Sequence, residues 1–206
     1  MYFAVTVGDD YYLGLNDHFE LTGMAYQIVP VGAKGAGPGV NTDEMYENVM
    51  HKFRFGGINN PKVYIDENIG RMCRTHRMFI GQLAGALLAK GDSVKAKTVL
   101  DYCNKMIPGT TVRHDYTSVQ LADYYYKLGE IKKGDAIMNA VAKDCVEYLN
   151  WGFSLTPSQQ NSITGEIGNN YAVLNQVLRI CDENKRKNIL DKYLPSYMQY
   201  SRHFQM

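Results

Sequence analysis

Residues 83–108, LAGALLAKGDSVKAKTVLDYCNKMIP, and residues 121–145, LADYYYKLGEIKKGDAIMNAVAKDC, carry one pattern twice. Leu83-Ala84 corresponds to Leu121-Ala122, Leu87 to Tyr125, Gly91-Asp92 to Gly129-Glu130, Ala96 to Gly134 and Leu100 to Met138, each pair 38 positions apart. The pattern has a physical content. Small residues at Ala84, Ala96, Ala122 and Gly134 let two antiparallel helices approach closely. Gly91 and Gly129 supply the left-handed backbone that ends the first helix of each pair. Two helix pairs joined by tight glycine turns are therefore expected, and they set the fold class of the chain.

The first copy resembles a tetratricopeptide repeat: a small residue after Leu in the first helix, Gly-Asp at the turn, Ala96 in the second helix and Pro108 at the close. The offset exceeds the usual 34 residues by four, which places the extra length in the 109–114 connector. Toward the C-terminus a degenerate third pair is expected. Thr156-Pro157 supplies its cap and first-turn proline, and Ile163, Ile167, Tyr171, Leu174 and Cys181 form its apolar stripe. A last helix starts near Lys185 with Ile189, Tyr193, Leu194 and Tyr197, and Pro195 should kink or break it. About three helix pairs suffice for a stable stack, with the last as a cap.

Toward the N-terminus, Asp66 should cap a long helix whose stripe is Ile69, Cys73, His76, Ile80, Leu83 and Leu87. Asn41 with Glu44 forms a capping-box-like start for a helix over 42–54, with Met45, Val49 and Phe53 along it. The intervening FGGINNPKVYI is a loop with a short extended piece at Lys62–Ile65. Tyr2–Val7 and Met24–Val31 predict strands, and YYLGLNDHFELTG between them a short helix or turn anchored by Leu13, Leu15, Phe19 and Leu21. The glycine-rich GAKGAGPG, residues 32–39, lacks the Lys-Ser/Thr ending of a phosphate-binding loop and reads as a flexible connector. The expected fold is mainly α: a tetratricopeptide-like helical repeat over 66–206, preceded by a helix and connector over 41–65 and a small α+β segment over 1–40.

Composition narrows the function classes. Lys and Arg total 22 against 21 acidic residues in 206, so no overall charge draws the chain to nucleic acid. No stretch approaches the eighteen or so apolar residues of a membrane span. Cys73, Cys103, Cys145 and Cys181 form no C-x-x-C pair and stand among apolar neighbours, so they are expected to be small buried hydrophobes and not zinc ligands. MYFAVTV, an apolar run from the second residue with no polar approach, reads as the opening of a piece of a longer chain.

Candidate sites follow from exposure and charge. If the first helix of each pair lines a concave face, Tyr116, Asp123, Tyr126 and Lys127 are its exposed candidates for holding a peptide. Arg71, Arg74 and Arg77 make a basic stretch able to hold a phosphate or carboxylate; Arg74 and Arg77 lie near one face, and a solvated face is the preferred reading. His76 falls on the apolar stripe and is expected to pack in the core, and Trp151 to plug a gap. No nucleophile with a base, paired carboxylates or His-x-x-x-His spacing stands out, so no catalytic residue, metal ligand or cofactor is assigned.

Beyond the repeat, the stretches YFAVTV, YLGLNDHFELTGMAYQIVPV, NTDEMYENVMHKFRFGG and PKVYIDENIGRMC resemble the C-terminal end of an uncharacterised bacterial membrane family. Its multi-pass N-terminal region is similar to protein O-mannosyltransferases. The resemblance spans nearly all of the chain. It implies that any sugar-transfer chemistry lies in a membrane region outside this sequence, that the segment 1–40 ends a larger α/β domain, and that this end faces the periplasm. The expected role is a non-catalytic interaction or scaffolding module whose partner is a protein, a peptide or the membrane domain of the same chain. The alternative is an accessory acceptor-binding part of a glycosyltransferase.

Overall fold

A computed structural model describes residues 1–30 and 39–204. The connector assigned to residues 32–39 lies outside them except for Gly39. The chain is mainly helical with a small N-terminal sheet, and it forms two compact units, Met1–Arg113 and His114–Met206.

The first unit opens with a four-stranded sheet in the order β1-β3-β2-β4, built from β1 (Tyr2–Ala4), β2 (Phe19–Leu21), β3 (Ala25–Ile28) and β4 (Gly39–Val40). β3 pairs antiparallel with β1 and β2, and β4 runs parallel to β2. Phe3, Phe19 and Tyr26 share one face, where the Tyr12 ring meets all three with centroids 4.9–6.1 Å apart. This aromatic cluster is the sheet's core. Both expected strands form but are shorter, and β2 falls where a helix or turn was expected. Its alternation of buried Phe19, half-buried Glu20 and buried Leu21 spans only three residues, too few for a period of two to register. Leu13 is no anchor: it is 81% exposed in a left-handed turn with φ 54°, and Tyr12 is buried in its place.

Asn41 starts α1 (Thr42–Glu47), its Oδ1 accepting from Glu44 N at 3.2 Å. The expected helix over 42–54 then widens into one π turn, Asn48–Lys52, and stops with Phe53 extended. Lys62–Ile65 forms no strand. Asp66 caps α2 (Glu67–Ala89), accepting from Ile69 N at 2.8 Å, and α2 packs against α3 (Ser93–Met106) and α1. Between α2 and α3, Gly91 N donates to Leu88 O and Asp92 N to Leu87 O, both at 2.9 Å, around a left-handed Gly91 with φ 82°. That double bond satisfies the carbonyls orphaned at the helix end.

The second unit holds α4 (Tyr116–Lys127), α5 (Ile131–Ser154), α6 (Pro157–Ser162), α7 (Thr164–Glu183) and α8 (Lys187–Ser201). The α4–α5 turn repeats the first: Gly129 N to Tyr126 O and Glu130 N to Tyr125 O, with Gly129 at φ 76°. The α7–α8 turn makes the same two bonds, Lys185 N to Asp182 O and Arg186 N to Cys181 O, with Lys185 and not glycine at φ 57°. α5 packs on α4, α7 and α8. In the degenerate third pair, the stretch capped by Thr156-Pro157 and carrying the Ile163–Cys181 stripe is two helices, α6 and α7, because Ile163 leaves helical geometry at φ −123°, ψ 21°. Pro195 does not break the last helix; α8 runs through it, with Tyr193 and Tyr200 buried on either side.

Candidate functional site

The four residues expected on an exposed face in the second unit part company. Tyr116 is 58% exposed and the Lys127 ammonium reaches solvent, but Asp123 and Tyr126 are buried. On α4 the buried stripe takes in residues 119, 122, 123, 125 and 126, a wider arc than the apolar residues alone mark out. Each buried polar group has partners. Asp123 accepts from Lys127 Nζ at 2.7 Å and from Asn184 Nδ2 at 3.3 Å. The Tyr126 hydroxyl donates to Asp135 Oδ1 at 2.9 Å, and Arg186 grips the same carboxylate from Nε at 2.9 Å and Nη2 at 2.6 Å. Such paired, bidentate contacts tie α4, α5 and the α7–α8 turn together. Tyr126 is thus a core residue. Sequence spacing gave no sign of it, because Asp135 and Arg186 stand 51 positions apart.

The network carries a pH dependence. The Arg186 hydrogen bonds, with help from Tyr126, hold the Asp135 carboxyl below its ordinary 3.8. A folded-state value below the unfolded one stabilises the fold above the unfolded value, and that contribution fades as pH falls through the folded one. Urea unfolding of the second unit should therefore lose more stability between pH 7 and pH 3 in wild type than in Asp135→Asn. Equal losses would show that the pair is not what titrates.

The arginines of the basic stretch also separate. Arg71 is exposed and donates to Asn68 Oδ1 at 3.3 Å, and Arg74 lies back along α2 with Nη1 over Gly70. Arg77, expected on a solvated face, is 1% exposed. Its Nη1 donates to Arg113 O at 3.1 Å and its Nη2 to Ile107 O at 3.1 Å and Val112 O at 2.9 Å. Arg77 ties down the segment that follows α3 and is not free to hold an anion. Trp151 is no plug either: it is 49% exposed, its ring edge-on to Tyr148 at 5.3 Å.

A concavity of about 180 Å³ lies in the first unit beside α2. One wall is the start of α2, where Ile69, Met72, Cys73 and His76 fall on one helical face. The other is the segment after the π turn, which Gly56 (φ 57°) and Gly57 (φ 81°) fold back so that Arg54, Phe55 and Ile58 face the helix. Ile107 at the end of α3 completes it. The Phe55 ring is fixed edge-on between His76 at 6.3 Å and Tyr102 at 6.0 Å. His76 is half-buried at the wall; its Nδ1 lies 2.8 Å from Met72 O, and because a carbonyl only accepts, Nδ1 carries the proton.

Burial raises the Cys73 thiol, so the pocket holds a neutral sulfur and no nucleophile. The other three cysteines are buried as expected: burial pushes the Cys103 and Cys145 thiols up to about 12 and Cys181 to about 11. Ile69, 43% exposed, and Met72, 59% exposed, edge the pocket with apolar surface. The apolar stripe on α2 was legible in the sequence, but as core; that its first two turns stay partly open was not. No helix among the described residues is long and apolar enough to cross a membrane. No protein-family model, curated protein or solved structure matches this chain.

Proposed function

We propose that this chain is a protein-interaction module, and that it captures an apolar side chain of a protein or peptide partner in the Phe55–Met72–His76 pocket. The observation that carries this is an open hollow lined mostly by apolar side chains, with Arg54 and His76 also at its wall, and edged by exposed Ile69 and Met72. Contiguous exposed apolar surface beside a concavity marks interaction sites in soluble domains. The α2–α3 pair, closed by its Gly91 turn, acts as a tetratricopeptide-like frame for it. The sequence resemblance described above supports a parent protein anchored in the membrane and similar to protein O-mannosyltransferases, with this part on the periplasmic side.

The test is selection of random displayed peptides on the full chain, with an Ile69→Gln, Met72→Gln double variant alongside. Both side chains are exposed and glutamine is a good helix former, so the variant should fold. The expected result is a consensus with one aromatic or large aliphatic position, bound at least tenfold more weakly by the variant. A consensus indifferent to the double substitution, or none, would overturn the proposal.

A further inference from the structure

We propose that the group taken by this pocket carries a carboxylate beside its apolar part: an aromatic or large aliphatic residue of a partner polypeptide flanked by Asp or Glu. This rests on the reading of the pocket as a peptide-binding site. Size sets the apolar part, since a dry cavity of about 150 Å³ lined by aliphatic and aromatic side chains holds a benzene ring. At about 180 Å³ this hollow takes one ring or branched chain.

Charge sets the flank. Arg54 lines the pocket yet is exposed, and its Nη1 is pinned by donating to His51 O at 2.9 Å and Phe53 O at 3.0 Å. Those bonds hold the guanidinium at the rim while Nε and Nη2 make none, and among the described residues no carboxylate pairs with it. A planar cation held in place loses little freedom when it takes a carboxylate through its free edge. The acids at the start of α2 do not meet this need: Asp66 Oδ1 is engaged at Ile69 N, and Glu67 stands on the first helical turn.

His76 favours a polypeptide over a bare acid. With its proton on Nδ1 and directed to Met72 O, Nε2 is left as an acceptor at the pocket wall, and a backbone N–H satisfies it where a carboxylate oxygen does not. An acidic-flanked apolar residue offers all three: a ring or branched chain for the hollow, a carboxylate for Arg54 and an amide N–H for His76.

The experiment measures binding of three labelled peptides by fluorescence polarisation. They share a central Phe and differ in carrying Glu, Gln or Lys on both sides. In wild type at low salt the Glu-flanked peptide should bind about fivefold tighter than the Gln-flanked one, the scale of a rim ion pair, and the Lys-flanked one more weakly than both. The preference should shrink as salt screens it. Arg54→Gln should erase the difference between the Glu- and Gln-flanked peptides; Arg54→Lys, which keeps the charge, should retain part of it and guards against a folding defect. Equal binding of all three in wild type, lost in Ile69→Gln, Met72→Gln, overturns the acidic flank while the pocket reading stands. No binding by any peptide overturns both. A Glu preference that survives Arg54→Gln overturns the assignment to Arg54.

Discussion

Arg77→Met is expected to lower the unfolding free energy of the first unit by about 3–5 kcal/mol, the scale for stranding buried polar groups that a charge had satisfied. Methionine fills much of the same volume but donates nothing, so the carbonyls of Ile107, Val112 and Arg113 lose the donor that serves them. The two ends of this contact are 30–36 residues apart, so the loss frees the segment that closes the unit. Arg77→Lys should recover only part of the loss, because one ammonium cannot reproduce a planar fork aimed at three oxygens. Urea unfolding followed by circular dichroism checks it. A loss under about 1 kcal/mol would mean that water replaces the guanidinium and that the segment is not held by it.

Gly134→Ala should cost the second unit about 2–4 kcal/mol, against the usual gain of up to about 1 kcal/mol for replacing glycine by alanine inside a helix. A Cβ at residue 134 would lie 2.6 Å from Tyr126 Cδ1 and 2.9 Å from Tyr126 Cζ, and closer still to Cε1. The ring cannot swing away cheaply, because its hydroxyl is tied to Asp135 and Asp135 to Arg186. Pairing Gly134→Ala with Tyr126→Ala should therefore cost clearly less than the sum of the two alone, the mark of residues in direct contact. Additive costs would show that the ring is not what occupies the space.

These two positions show how much of the molecule was legible beforehand. Gly134 is the counterpart of Ala96 in the repeat, both expected to allow close helix approach; Ala96 is fully buried, and the Tyr126 ring occupies the space where a Cβ of residue 134 would stand. Arg77 was legible only as one of three cations on a helix. Its neighbours in sequence are a histidine and a methionine, and nothing near it announces three waiting carbonyls. The same limit applied to Asp123 and Tyr126, which carry polar atoms in a stretch rich in tyrosine and so read as surface.

By itself the sequence determined the features whose partners lie within about four residues. The caps at Asn41 and Asp66, the left-handed turns at Gly91 and Gly129 and the helical spacing that buries the four cysteines are of this kind. Each follows from a bond or a backbone preference that a short segment satisfies alone. Tertiary structure alone decided β2, which exists only because β3 and β4 pair with it, the burial of Arg77, the Tyr126–Asp135–Arg186 contacts and the pocket between α2 and the Phe55 segment. These join residues beyond the reach of one helical turn, and whether a polar group faces water or a distant carbonyl depends on packing that no local preference specifies.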